Sequence, residues 1–312
     1  MAYKLQRRLT RSGLTARQRH LITCTIFPEG KLIHQISPTS PHSMKRTQED
    51  NSLNWRSQGQ FNPANWIKEG NNLFSSSKST RSVWIIKKAR LKNRLSQGLV
   101  PRDLSTWSNY EGLAKSSFLL LGYSVEMFLK AGLAKIFFGC SENMFNNEIR
   151  RLSHNYKILA DEVNFPATDQ DDSDLELLTD IVLFSARYPI DPREQQDYLA
   201  TKAQLNSIFT SNSIFTRVRK LSMRLREHVT KIDQDHTNPA TFKRIKLDTD
   251  GYLSFRCGGG LPPYITYKYS SKQKENNENN EIALKKIFSE DKNYKQLIQI
   301  WETAKLRQDK TK

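Results

Sequence analysis

The sequence predicts a mainly α-helical protein, with an antiparallel helical bundle at its centre, a basic N-terminal extension, and a small β-hairpin plus helix at the C-terminus. Helix start signals followed by apolar residues at helical spacing recur between about residues 62 and 231. Strand-like segments bounded by turn signals are confined to the chain after residue 240. The 15 Phe, 11 Tyr and 5 Trp among 312 residues are enough to build a core, although only 37% of the chain is apolar.

The chain divides by composition into four segments, which are residues 1–46, 47–105, 106–233 and 236–312. The first 46 residues contain nine Lys and Arg but one acid, and their apolar residues follow no sustained period. A linker-like sequence, SPTSPHS, spans Ser37–Ser43. We therefore predict that residues 1–46 form a flexible extension and that the chain from Met44 suffices for folding. An alternative places the natural start of the protein at Met44.

Caps and breaks along the chain predict the individual helices. We expect first a helix from Pro63 that ends at the serines 75–77, then a helix over Thr80–Leu95, and then a long apolar helix that opens with a Ser108/Glu111 capping box and ends near Phe138. A shorter helix over His154–Glu162 is followed by a solvated acidic linker, which contains Asp169, Asp171, Asp172 and Asp174. The next helix opens with a Ser173/Glu176 capping box and ends at Pro189, another helix starts at Asp191-Pro192, and a continuous helical segment covers Leu205–Lys231.

The C-terminal segment is predicted to contain strands. Thr241–Leu247 and Tyr252–Cys257 flank a turn that ends in Asp250-Gly251, which is a hairpin signal. Tyr264–Tyr269 is a candidate third strand. A last helix is expected over Glu281–Leu306.

Three short sequences within residues 106–233 resemble the HEPN superfamily, the higher-eukaryote and prokaryote nucleotide-binding helical bundles. Gly122–Ala131 (GYSVEMFLKA) is similar to the central helix of that family, Ser153–Leu159 (SHNYKIL) to its short His-containing helix start, and Ala186–Pro189 (ARYP) to the end of its next helix. The resemblance implies a helical bundle that is associated with RNA, in a prokaryotic defence or toxin–antitoxin setting. It also implies a homodimer through the bundle, or a nucleotidyltransferase-type or other protein partner.

HEPN ribonucleases cut RNA without metal, and the resemblance implies an Arg followed, after four to six residues, by a His that acts as general acid or base. None of the six histidines of this chain has an Arg at that spacing. Arg224 and His228 are four apart and are the weak candidates for a displaced catalytic pair. A metal-independent endoribonuclease therefore remains an alternative to simple RNA binding, and a structural, partner-binding bundle is a second alternative.

A polar cluster is expected inside the bundle. Glu126 and Lys130 share one face of an otherwise apolar helix, so they need partners. His154 and Arg187 are the candidates. The cluster has two interpretations, a core group that fixes helix register and a ligand or RNA pocket. If Glu126 is buried, its replacement by alanine is predicted to destabilise the protein by about 1–3 kcal/mol.

Two basic helical segments are the candidate nucleic-acid surface, and with a net charge of +17 they predict salt-dependent binding to phosphates. If six or so phosphates are neutralised, affinity should fall roughly a thousandfold between 50 and 200 mM salt. Trp84 or Tyr110 is a candidate for stacking on bases. The alternative is a surface that is merely cationic. The candidate residues are Lys87, Lys88, Arg90, Lys92 and Arg94 on the first segment, and Arg217, Arg219, Lys220 and Arg226 on the second, which also contains Arg224.

Other functions lack their motifs. The longest uncharged run of the most apolar segment is ten residues, Ser116–Val125, so we expect no membrane span and a cytoplasmic protein. Cys24, Cys140 and Cys257 form no Cys-x-x-Cys pair, and the aspartates of 169–174 lack the glycine and glutamate of a calcium loop. Gly258–Gly260 is not followed by a phosphate-loop Lys-Ser/Thr. We therefore expect neither a metal nor a cofactor.

Overall fold

The structure is a computed structural model, and it describes residues 52–100, 103–185, 195–290 and 297–311. All of them belong to one compact unit, Asn51–Lys312. The architecture is mainly helical, with a four-stranded sheet in the C-terminal part. Pro189 and the helix start predicted at Asp191-Pro192 lie outside the described residues.

The helices that precede the sheet are α1 (Pro63–Ser96), α2 (Leu104–Ile136), α3 (Glu142–Leu152), α4 (Tyr156–Glu162), α5 (Asp169–Asp180), α6 (Gln195–Thr210) and α7 (Asn212–Lys231). A π-helical segment, Ile181–Ser185, continues α5. The strands and remaining helices are β1 (Thr241–Leu247), β2 (Gly251–Gly258), β3 (Leu261–Lys268), α8 (Ser271–Glu275), α9 (Glu281–Glu290), α10 (Leu297–Trp301) and β4 (Lys305–Gln308).

Helix α2 is the centre of the bundle. Most of its residues from Ala114 to Ile136 are buried, and they pack against α1, α5 and α7 in one continuous core. Gly122 lets α5 approach closely, because a Cβ at this position would lie 2.6 Å from a methyl of Val182. Among the described residues, α2 is the one helix long and apolar enough to cross a membrane, and 72% of its most apolar window is buried inside the protein. Such burial is typical of a core helix.

The serines 75–77 do not end a helix, because α1 runs without a break from Pro63 to Ser96. Ser77 is fully buried, and its hydroxyl donates to the carbonyl oxygen of Ser117 in α2 at 2.6 Å. A small side chain that bonds to the facing backbone allows two helices to lie close together. The serine is therefore a contact residue rather than a breaker, and the predicted division into two helices is wrong.

Three other predicted boundaries are wrong because different residues cap the helices. Helix α2 begins at Leu104 with Asp103 as its cap, so Ser108 lies inside the helix. Thr168 and Asp171 form the capping box that opens α5, so Asp169–Asp174 is the start of a helix rather than a linker. Acidic residues in a first helical turn interact favourably with the positive end of the helix dipole. Ser211 caps α7 and separates it from α6.

The predicted hairpin is confirmed, and the sheet has the order β1-β2-β3-β4, with β4 parallel to β3. One face packs on the bundle, where the Tyr264 hydroxyl donates to the carbonyl oxygen of Glu162 at 2.8 Å. The other face forms a second core with α9 and α10, around Leu253, Leu284 and Trp301. The last helix predicted over Glu281–Leu306 is wrong at its C-terminal end, since the chain turns after Trp301 and forms β4.

The first described residues already belong to the core. Leu53 is fully buried, and its backbone N–H donates to the carbonyl oxygen of Cys140 at 2.9 Å. We expect a chain that starts at Met44 to melt within about 5 °C of the full chain, because the apolar residues before Met44 follow no sustained period. For a domain of this size, a larger drop corresponds to a loss of roughly 1 kcal/mol or more of unfolding free energy. Thermal melting of the two chains by circular dichroism is the measurement. A drop of more than about 5 °C would show that residues 1–43 contribute to the fold.

Candidate nucleic-acid interface

The end of α1 and the start of α2 form an exposed, cationic part of the described structure. We call it the tip hairpin, and it comprises residues 85–100 of α1 and its following turn together with residues 103–110 at the start of α2. None of its described residues is buried. The five basic residues predicted on the first segment, Lys87, Lys88, Arg90, Lys92 and Arg94, all lie here.

A groove of about 240 Å³ runs between the two helices of the tip hairpin, and we call it the tip groove. Lys87, Arg90 and Arg94 line one wall, at spacings of three and four residues that place them on one helix face. None of the described residues that line the groove is acidic. Its lining residues are Lys87, Arg90, Leu91 and Arg94 from α1, and Thr106, Asn109 and Tyr110 from α2.

Tyr110 is the aromatic side chain that the tip groove exposes in part. Partial burial raises the pKa of its hydroxyl, so the ring stays neutral at ordinary pH. Trp84 is 1% exposed and packs under Tyr110 at a ring distance of 5.6 Å. Tyr110 is therefore available for stacking on a base, whereas Trp84, which the sequence suggested equally, is not.

Arg81 is 2% exposed and lies apart from the exposed cations of the tip hairpin. Its guanidinium lies 3.9 Å from the Trp84 ring and donates to the carbonyl oxygens of Phe209 and Ser211 at 2.7 and 2.8 Å. Burial lowers its pKa to about 10. The charge thus caps the carboxyl end of α6, where helix carbonyls carry partial negative charge.

Lys88 also bonds to the end of α6. Its Nζ donates to the carbonyl oxygen of Thr210 at 3.3 Å, and it lies 4.8 Å from the Trp84 ring. Lys92 and Arg94 are exposed. The structure thus places the five cations of the first basic segment together on the tip hairpin, four of them exposed and Lys87 half-buried.

The second basic segment, on α7, is different because two of its arginines are neutralised. The Arg217 guanidinium forms a bidentate ion pair with the Asp174 carboxylate, with N···O distances of 2.7 to 3.0 Å. The Arg224 guanidinium pairs with the Asp171 carboxylate at 2.8 and 2.9 Å. Burial alone would raise the pKa of Asp171, but the bonds from Arg224 and Thr168 outweigh it and lower that pKa. Both aspartates are buried. The assumption of a solvated acidic segment is therefore wrong, and Arg217 is engaged in a structural ion pair.

The other α7 cations occupy separate positions. Lys220 is exposed. Arg226 donates to the Asn71 side chain at 3.4 Å and lies against Phe74. Arg219 is half-buried and lines a different cleft, between α1 and α7. The α7 residues thus do not converge on one surface with those of the tip hairpin.

Arg224 and His228, the weak catalytic candidates, both make structural contacts. The His228 Nε2 atom lies 2.9 Å from the carbonyl oxygen of Val163, so Nε2 carries the hydrogen that it donates in this bond. Phe165 packs against both side chains, with its ring 5.5 Å from that of His228 and 5.4 Å from the Arg224 guanidinium. This arrangement ties α7 to α5 and to the turn after α4, and it does not favour the nuclease alternative.

Glu126 is the centre of a buried polar cluster, which we call the Glu126 cluster. Its carboxylate accepts from Lys130 Nζ at 2.5 Å, from His154 Nδ1 at 2.8 Å and from the Tyr156 hydroxyl at 3.2 Å. Burial, with the carboxylate beside it, raises the pKa of Tyr156. The structure thus brings together three of the four residues predicted for this cluster, and Arg187 lies outside the described residues.

Several residues of these sites were missed from the sequence. Tyr156 follows His154 closely, yet only the packing of α4 on α2 turns its hydroxyl toward Glu126. Asp171 and Asp174 are three residues apart, a spacing that places two side chains on one face of a helix. This spacing could have indicated that both aspartates face the same partner helix. In the described ranges, no group of three His, Cys, Asp or Glu side chains is placed to hold a metal ion.

No protein-family model, curated protein or solved structure matches the chain.

Proposed function

We propose that this protein binds RNA through the tip hairpin of a HEPN-like helical bundle. The observation that carries the proposal is the tip groove, where three cations and one partly exposed tyrosine line a cavity with no acidic side chain among its described residues. Cations without acidic partners release counterions when they meet phosphates, and this release drives binding to nucleic acids. The HEPN-like character and a defence or toxin–antitoxin setting rest on the sequence resemblance.

The arrangement favours single-stranded RNA. Successive cations on a helix give a row of positive charge that a flexible backbone can follow, and a single aromatic ring beside it can stack on an unpaired base. Because Arg217 and Arg224 are held by aspartates, fewer phosphates should be neutralised than the sequence suggests. Five tip cations give an affinity loss of roughly a hundredfold, rather than a thousandfold, between about 50 and 200 mM salt.

A specific observation also favours the partner-binding alternative. Leu99, Val100 and Leu104 at the end of the tip hairpin are 54, 64 and 84% exposed. Exposed aliphatic groups that cluster on a projection are typical of protein contact surfaces. The partner, a second copy of the chain or a nucleotidyltransferase-type protein, would then bind in a way that depends little on salt.

We expect the triple substitution of Lys87, Arg90 and Arg94 by glutamine to weaken RNA binding and to reduce its salt dependence. Loss of three phosphate contacts should decrease the slope of log affinity against log salt by about two. Fluorescence anisotropy with a labelled single-stranded RNA at several salt concentrations is the measurement. Circular dichroism checks that the variant is folded.

The matched control replaces Lys246, Lys272 and Lys274 by glutamine. These lysines are exposed in the C-terminal part, so the control removes the same net charge from another surface. Equal losses in the two variants would contradict a site at the tip groove, and salt-insensitive binding would favour the partner alternative. Metal-independent cleavage that His228→Ala abolishes would contradict simple binding and support the nuclease alternative.

A further inference from the structure

The cleft between α1 and α7 is a second cationic cavity, on the α7 side of α1 and apart from the tip groove. It has a volume of about 200 Å³, which is below the roughly 300–1,000 Å³ typical of sites for drug-sized ligands. Lys78, Arg81 and Arg219 contribute three cations to its lining, and Ser82 and Thr216 contribute two hydroxyls. None of the lining residues is acidic.

Arg219 is the lining residue whose guanidinium has an unsatisfied donor. Its Nε atom is buried and has no hydrogen-bond partner among the described residues. Native proteins rarely leave a buried donor of a charged group unsatisfied, because its lost hydration is not replaced. Rotation of the Arg219 side chain toward the cleft, which it lines, would expose Nε to an acceptor there.

The charge of Arg81 is also uncompensated by a carboxylate in its observed contacts. It donates to the carbonyl oxygens of Phe209 and Ser211, and more weakly to the Asn212 side chain at 3.5 Å, all of which are neutral acceptors. Lys78 lies beside it on the next turn of α1, 5.8 Å from the Phe74 ring. The cleft therefore concentrates positive charge at a concave surface, where the field attracts anions.

From these observations we propose that the α1–α7 cleft binds the phosphate group of free phosphate or of a phosphate monoester. A phosphate monoester carries about −1.5 to −2 charges at neutral pH and three strong acceptor oxygens. Guanidinium groups match that geometry, and the Ser82 and Thr216 hydroxyls can donate to the remaining oxygens. The proposal does not depend on RNA binding at the tip groove.

Calorimetric titration of the full chain with inorganic phosphate, at about pH 8 where the dianion predominates, tests the proposal. We expect saturable binding of one phosphate per chain. Arg219→Met keeps the aliphatic stem and should weaken binding at least about tenfold, which is the effect of losing one charge-assisted contact. Thr216→Val keeps the side-chain shape and should weaken binding less, so it tests the cleft even if Arg219→Met does not fold.

Lys220→Met is the matched control, because it removes one positive charge from the neighbouring, exposed position of α7. It should change phosphate affinity less than about twofold, since exposed charges act weakly at a distance in salt. Equal losses in Arg219→Met and Lys220→Met would overturn the proposal and indicate attraction by net charge only. Absence of saturable phosphate binding would also overturn it.

Competition distinguishes the two sources of the phosphate group. A short oligoribonucleotide with a 5′-phosphate should displace inorganic phosphate if the cleft holds an RNA end, whereas its 5′-hydroxyl counterpart should not. If neither displaces it, the ligand is free phosphate or a small ester. The triple variant of the tip groove should bind inorganic phosphate normally, so failure of RNA binding and failure of this proposal give different results.

Discussion

Replacement of Glu126 by alanine is expected to lower the free energy of unfolding by about 3–5 kcal/mol, the usual effect of removing one partner of a buried ion pair. The side chains of Glu126 and Lys130 are only 3 and 12% exposed. His154 and Tyr156 lose the same acceptor. The structure therefore raises the expectation above the 1–3 kcal/mol that the sequence alone supported. Urea unfolding followed by circular dichroism measures the change.

Glu227→Ala is the matched control for this prediction. Glu227 and Lys231 form an ion pair with the same four-residue spacing, but their side chains are 64 and 71% exposed. Hydrogen bonding to Lys231 lowers the pKa of Glu227, yet water screens such a surface pair. Its urea midpoint should match that of the unmodified protein. If the two variants behave alike, Glu126 does not hold the bundle together.

The sequence located the helical region, the hairpin and the Glu126–Lys130 pair because their signals are local. Glu126 and Lys130 are four residues apart on an apolar helix, and the Asp250-Gly251 dipeptide marks the turn between β1 and β2. Burial of a carboxylate on such a helix follows from the hydropathy pattern alone.

The same reasoning failed where a side chain pairs across the fold. The Arg217–Asp174 pair joins residues 43 positions apart, and the Arg224–Asp171 pair joins residues 53 positions apart. A count of charges treats the aspartates as solvated and the arginines as available for phosphates. Packing of α5 on α7 instead places each arginine against an aspartate, so that the two charges of each pair neutralise one another. Strand β4 was missed for a similar reason, since the Arg307–Glu162 ion pair and the side chain of Asp309 attach the chain end to distant elements.

The pairing of α5 with α7 makes charge reversal on α7 depend strongly on position. We expect Arg217→Glu to destabilise the protein by about 3 kcal/mol, because it leaves the buried Asp174 carboxylate without its cation and places a second carboxylate beside it. The value is at the lower end for a broken buried pair, since the Arg217 side chain is 42% exposed and water can enter. Urea unfolding is again the measurement.

Lys220→Glu is the control, as it reverses the same charge on an exposed side of the same helix and should leave the urea midpoint unchanged within error. Adding Asp174→Asn to Arg217→Glu removes the repulsion and should recover part of the loss, which a double-mutant cycle reads as coupling between the two positions. If Arg217→Glu and Lys220→Glu have equal effects, Arg217 is a free surface cation. In that case the second basic segment, on α7, would again be a candidate for phosphate contacts. The salt dependence of RNA binding should then approach that of about six neutralised phosphates.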